Sequence, residues 1–215
     1  MAQTNFTKLL GQLEPCFTKE CFYKHKNNTF LRIQEDLLQY VLFNRADSAF
    51  NVEVCIQPLV IPATNLAFTF GDRLGWFFYK HDVSWNVPID DKELDILTNN
   101  LRIPIQNVVL PWFNQLNSPK KLLRWYDSQS IHHGTRYYRG PHKYLQLDLG
   151  LIAAKIGLLD KSSYYIEKYL LMETNKPIIY SRQLQNALET NSHSVSSMLQ
   201  QWQHKTMVSL GIIKL

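Results

Sequence analysis

Phe50-Asn51-Val52-Glu53-Val54-Cys55-Ile56-Gln57 is the stretch whose reading decides the fold. Phe50, Val52, Val54 and Ile56 alternate with Asn51, Glu53, Cys55 and Gln57. A period of two sets the first four on one face of a strand, as one-sided burial of a sheet requires. Pro58 and Pro62 bound the run. Upstream, residues 44–48 form a polar turn, and Leu37-Leu38-Gln39-Tyr40-Val41-Leu42-Phe43 is apolar enough for a central strand. Glu35-Asp36 breaks the chain again, and Thr29-Phe30-Leu31-Arg32-Ile33-Gln34 follows the Asn27-Asn28 turn signal as another β-rich run. Parallel pairing needs a crossover of about a dozen residues or more, and these connections are far shorter, so the strands form an antiparallel meander. Residues 66–70 and 76–80 are predicted to add two strands around a Gly71-Asp72 turn.

Outward from the meander the pattern turns helical. Phe6, Leu9, Leu10 and Leu13 lie three and four apart, which predicts a first helix over residues 5–13, with Thr4 or Asn5 as its cap and Pro15 as its end. After Pro88, the acids Asp90, Asp91, Glu93 and Asp95 suit a helix N-terminus, where the dipole favours negative charge. Leu94, Leu97, Leu101 and Ile105 continue one stripe, with a break or kink expected at Pro104. Ser118-Pro119 opens a further helix over residues 120–126, and residues 128–141 read as a loop. A helical hairpin over 143–158 and 161–172 turns at Gly157-Leu158-Leu159-Asp160, and Leu184, Leu188, Val195, Leu199 and Trp202 mark another helical pair. The expected class is α+β: an N-terminal helix, an antiparallel meander of three to five strands, and a helical C-terminal region. Residues 1–130 form the α+β domain, and residues 131–215 a basic loop and helices packed on it.

The chain has 215 residues, 45% hydrophobic and 19% charged, the composition of a folded protein rather than a disordered one. Aromatics at 13% predict a core built on large rings. No run approaches the roughly 18 apolar residues of a membrane span, and Met1-Ala2-Gln3-Thr4-Asn5 lacks the start of a secretory signal. Three cysteines are too few and too odd for a secreted disulfide framework. A cytoplasmic protein is expected, with no membrane partner and no cofactor; the oligomeric state is left open.

Residues 1–130 resemble a bacterial family known as domain of unknown function 4304. The resemblance is carried by the N-terminal helix, Asn28-Thr29-Phe30-Leu31-Arg32, Leu37-Leu38-Gln39-Tyr40-Val41, Phe50-Asn51-Val52 and Leu110-Pro111-Trp112-Phe113. It implies a curled antiparallel sheet and, because members are often associated with bacterial conflict systems, a small intracellular protein that neutralises a toxin. It implies no catalytic residues. Farther on, Ala153-Ala154-Lys155-Ile156-Gly157 is faintly similar to the tetratricopeptide hairpin.

The familiar catalytic signatures are absent: no phosphate-cradling glycine loop, no Gly-x-Ser-x-Gly, no His-Glu-x-x-His. Cys16, Cys21 and His25 lack a fourth ligand for zinc, and two isolated cysteines at a helix end, one packed and one exposed, account for them. Capping explains the acids at 90–95 without acid–base chemistry. Arg73 near Trp76 and Trp85 fits a cation–π core contact or the floor of a groove.

Charge is the sharper signal. The net charge is +5, and residues 119–143 hold Lys120, Lys121, Arg124, Arg136, Arg139 and Lys143 against the single acid Asp127. The basic character is therefore local, and local charge speaks to partners. Within residues 131–144, Arg, His and Tyr interleave. Arginine grips carboxylate or phosphate with a planar fork, and tyrosine stacks on bases or fills interface pockets. The expected partner-binding residues are Arg124, His132, His133, Arg136, Tyr137, Tyr138, Arg139 and Lys143; against them stands an ordinary surface loop whose tyrosines pack inward. The expected function is a non-enzymatic binding protein, of the immunity type that blocks a toxin. The alternatives are a nucleic-acid-binding protein using the basic aromatic loop, and an enzyme whose pocket is lined by groups such as His132, His133, Glu53 or Asp72.

Overall fold

The computed structural model describes residues 2–128, 137–138, 142–173, 178–190 and 192–213. The chain divides into two compact units. The first holds Met1–Gln34, Leu38–Ile56 and Gly71–Gln115; the second holds Glu35–Leu37, Gln57–Phe70 and Leu116–Leu215. Two short segments of the N-terminal half thus belong to the second unit, whose continuous part begins at Leu116.

In the first unit, α1 (Ala2–Thr18) buries Phe6, Leu9, Leu10 and Leu13, the stripe the spacing predicts. It does not stop at Pro15 but runs on to bury Cys16 and Phe17. The Phe17 ring stacks on Phe30 with centroids 4.3 Å apart. Burying such a ring is worth roughly 2–3 kcal/mol, comparable with the cost of an interior proline. The helix then ends in a Schellman turn: Cys21 N–H donates to the Thr18 carbonyl at 3.2 Å and Phe22 N–H to the Phe17 carbonyl at 3.1 Å. Cys21 sits in the left-handed region with φ 62°.

The sheet comprises β1 (Tyr23–His25), β2 (Thr29–Gln34), β3 (Leu37–Ala46), β4 (Ala49–Pro58), β5 (Phe70–Arg73) and β6 (Trp85–Asn86). Its order is β1-β2-β3-β4-β5, antiparallel, with β6 pairing against the start of β4. The three strands of the meander stand where the sequence sets them. In β4, Phe50, Val52, Val54 and Ile56 are all buried, but from Cys55 onward the alternate positions are buried too, so the strand's second half is covered on both faces.

The two later strand expectations need correction. β5 runs across the supposed Gly71-Asp72 turn, and α2 (Leu74–Phe78) occupies most of residues 76–80. Gly71 is required for close approach rather than for a turn. Its φ is +151°, and a Cβ there would meet the Val54 carbonyl oxygen at 1.9 Å.

α3 (Asp91–Pro104) is capped by Asp90, whose side chain accepts from Glu93 N–H at 2.8 Å. Glu93 in turn accepts from Ile89 N–H at 3.0 Å, a reciprocal arrangement akin to a capping box. Beyond Pro104 the helical path continues through a π turn (Ile105–Val109) into α4 (Leu110–Gln115). Ile105 and Val109 are fully buried there, so the turn keeps both in the core past the proline.

The second unit contains α5 (Pro119–Ser128), α6 (His142–Lys155), α7 (Leu159–Met172), α8 (Ile179–Thr190) and α9 (Ser192–Ser209). α6 and α7 form the expected hairpin. Gly157, at φ +78°, closes α6 in a Schellman turn: its N–H donates to Ala154 O and that of Leu158 to Ala153 O, at 3.1 and 2.9 Å. The early segments are tied in by polar contacts. Asp36 accepts from Gln203 Nε2 at 2.7 Å and lies 3.4 Å from Lys155 Nζ, and Thr206 Oγ1 accepts from Ala63 N–H at 3.3 Å. Among the described residues, no helix is long and apolar enough to cross a membrane.

Candidate partner-binding face

Ser118 accepts from Lys121 N–H at 3.2 Å and so caps α5, with Pro119 in the first helical position where its missing N–H costs nothing. Pro119, Leu122, Leu123 and Tyr126 then fall on one side and are buried. The same spacing puts Lys120, Lys121 and Arg124 together on the opposite side, all exposed. Lys121 Nζ reaches only back to Asn117 Oδ1, at 2.8 Å.

The one acid of this stretch is turned to other work. Asp127 pairs with Lys161 of α7 through one carboxylate oxygen and accepts from the Tyr165 hydroxyl at 2.8 Å through the other. Burial, with Asp127 adding to it, pushes the Tyr165 hydroxyl well above its ordinary pKa, so it remains a donor. Among the described residues, no carboxylate lies within ion-pair distance of Lys120, Lys121 or Arg124. The outer face of α5 is therefore a triad of uncompensated cations. Beside it the half-buried Trp125 meets the Tyr137 ring edge-on, with centroids 5.5 Å apart.

The sites expected from sequence separate clearly. Arg124 stands on the basic face, and Tyr137 borders it through Trp125. Tyr138 is a different case: it is a core residue, not an exposed one. Its ring packs 5.4 Å from Phe70, and its hydroxyl donates to Asp148 Oδ2 at 2.7 Å. His132, His133, Arg136 and Arg139 lie outside the described residues; Lys143 falls in the first turn of α6, with its side chain outside the description.

Asp148 was not anticipated. It is buried, and desolvation pushes its carboxyl up to about 7 although the Tyr138 hydrogen bond opposes the shift. A signal was present: Leu145, Leu147, Leu149, Leu151 and Ile152 set a single acid, Asp148, in a run that is otherwise apolar except for Gln146, the mark of a largely buried helix. The pair is a buried, proton-holding unit of the core.

The remaining candidates resolve into structure. Arg73 forms an ion pair with Asp82, while Trp85 stacks on Phe50 at 5.9 Å. Cys16 is buried and Cys21 exposed, and among the described residues no group of three metal-ligating side chains converges. Asp90 and Glu93 cap α3, and Asp91 pairs with Lys8 at 3.0 Å. The chain matches no family model, no curated protein and no solved structure.

Proposed function

We propose that this is a non-enzymatic binding protein that engages the acidic surface of a protein partner through the outer face of α5. The observation that carries this reading is the diversion of Asp127 to Lys161 and Tyr165, which leaves Lys120, Lys121 and Arg124 exposed on one face without an acid. A cationic face of this kind accelerates encounter with an acidic surface, and a flanking Trp and Tyr supply the amphipathic rings that anchor such contacts. The resemblance of residues 1–130 to a family associated with toxin neutralisation supports the narrower reading, an immunity-type protein whose target presents acid.

Nucleic acid is the second ligand class that the same face suits, because Trp125 beside the cations offers a stacking surface. One titration separates the two. Fluorescently labelled poly-L-glutamate and a labelled single-stranded RNA are titrated at several salt concentrations against the wild type and Lys120→Glu/Lys121→Glu/Arg124→Glu. The expected result is polyglutamate binding that the triple variant abolishes. RNA binding with log Kd rising about 0.7 per phosphate against log salt would move the assignment to nucleic acid. Equal binding by wild type and triple variant, or no binding of either probe at low salt, would sink the proposal for this face.

A further inference from the structure

The first unit carries an apolar stripe that its own fold leaves uncovered. On α3, Leu94, Thr98 and Leu101 face the core, while Ile96 and Ile103 lie on the opposite side, 53% and 51% exposed. Ile89, just before the cap, is 76% exposed. Its position before the N-cap would suit a hydrophobic staple onto the first turn, yet it is not used as one. The three isoleucines are seven residues apart, the repeat that makes a seam along a helix for another helix to pack against. Single exposed apolar residues are ordinary; two in heptad register on α3, with a third one heptad earlier just before its cap, make a surface.

The charges beside this seam point to its occupant. Asp95 and Arg102 are also seven apart and lie together along one flank. Among the described residues neither has an ion-pair partner: Arg102 Nη1 donates only to Asn99 Oδ1 at 3.2 Å, and Asp95 accepts only a long 3.5 Å contact from Gln12. A flank bearing one acid and one base, one heptad apart, is complementary to itself when reversed.

We propose that α3 pairs with α3 of a second copy of this chain, antiparallel, about a two-fold axis passing between Asn99 and Asn100. That register sets Ile96 against Ile103 of the other copy, twice by symmetry. It brings Asp95 beside the other copy's Arg102, with an offset of about 3 Å along the axis at 1.5 Å per residue. It also sets Asn99 against Asn99 of the other copy on that flank and Asn100 against Asn100 on the opposite one, where amides donate and accept in turn. The interface is isologous, the commonest closed arrangement for identical chains. A single pair of helices of this length buries less than a standard-size interface, so the association is weak and concentration-dependent. This surface is independent of the α5 face, and neither reading depends on the other.

Sedimentation equilibrium of the full chain from low micromolar to several hundred micromolar tests it. The wild type is expected to show a reversible monomer–dimer equilibrium, lost in Ile96→Asp. Arg102→Asp should weaken the dimer by about tenfold, as two attractive pairs become repulsive. Asp95→Arg/Arg102→Asp should restore it, an outcome that general stickiness would not produce. Circular dichroism and urea melts of each variant confirm that the fold is retained. Register is read in a Cys21→Ser background: Ile96→Cys mixed with Ile103→Cys should cross-link to each other in preference to themselves. A monomer at every concentration, a dimer indifferent to Ile96→Asp, or failure of the charge swap to restore association would each overturn the proposal.

Discussion

Arg32 of the first unit and Asp148 of the second are both buried, and the two are handled in opposite ways. In the first unit Arg32, 6% exposed, donates from each of its three nitrogens. Its Nε donates to Gln39 Oε1 at 2.7 Å, Nη1 to the Glu20 carbonyl at 2.9 Å, and Nη2 to Asn114 Oδ1 at 2.5 Å. The guanidinium lies 4.6 Å from the centre of the Phe22 ring, and the Glu20 carboxylate stands 3.7 Å away. Gln39 passes the network on, donating to the Phe113 carbonyl at 2.8 Å. In the second unit Asp148, 5% exposed, has one donor among the described residues, the Tyr138 hydroxyl.

Burial pulls the pKa of Arg32 below its usual value, yet Glu20 opposes the shift and a guanidinium keeps its charge in any case. Asp148 gives way instead: burial pushes its carboxyl up to about 7, far above the ordinary carboxylate range. A buried ion is held where its hydrogen-bonding capacity is met, and neutralises itself where it is not.

The largest way to break this comparison is Asp148→Asn, which reports through pH. The carboxyl's folded pKa lies above its unfolded value of about 4, so the folded state holds the proton more tightly. Its effect on stability is absent below about pH 4, destabilises progressively as pH rises to about 7, and levels off above that. The wild type should therefore lose stability between about pH 4 and 7, by an amount on the order of 4 kcal/mol, and Asp148→Asn should flatten that slope. Parallel slopes for the two proteins would show that Asp148 ionises as it does in the unfolded chain.

Arg32→Ala is the next in size. It strips partners from Gln39, Asn114 and the Glu20 carbonyl together, and should cost about 3 kcal/mol in urea unfolding at pH 7, taking 1–3 kcal/mol for each buried polar group left unsatisfied. A loss below about 0.5 kcal/mol would mean that the network is ornamental.

The smallest effect sharpens the Arg32 side. Glu20, whose carbonyl Arg32 holds, immediately precedes Cys21 in the left-handed turn that closes α1. Cys21→Gly should stabilise by about 0.5–1 kcal/mol by relieving that backbone, measured in the same urea melts. A destabilisation would show that the Cys21 side chain contributes more than its conformation costs.

These residues also mark how far the sequence could be read. The alternation over 50–57 and the short turns sufficed for the meander, because strand burial leaves a period and antiparallel pairing needs no crossover. Ser118-Pro119 and Asp90 announced their helices by capping chemistry alone. Gly71 misled because a glycine demanded by a neighbouring strand looks the same as one demanded by a turn. Pro15 misled because its local penalty is visible in sequence, whereas the burial of Phe17 against Phe30 is not. Tyr138 reads as a partner-facing residue from its basic neighbours, and Arg32 as one polar position of a β-rich run. The acceptors that meet them from residues 20, 39, 114 and 148 hold them in the interior, and the residue types do not announce those pairings. Of the candidate face, Arg124 and the charge imbalance were legible; the withdrawal of Asp127 by Lys161 and Tyr165 was not.

The interleaving of the two units has a consequence for biosynthesis. A ribosome releases the chain from its N-terminus, so every segment of the first unit has emerged once Gln115 is clear of the exit tunnel, and domains tend to fold as they appear. Asp36 and the 57–70 segment emerge in the same interval, but their partners Lys155, Gln203 and Thr206 are translated much later. For that whole time Leu59, Val60 and Ile61, buried in the finished protein, wait without the helices that complete their unit. The nascent chain is most exposed to chaperones and proteases in that window, and a fragment beginning at Leu116 would lack the strip of chain that its last helix needs to close upon.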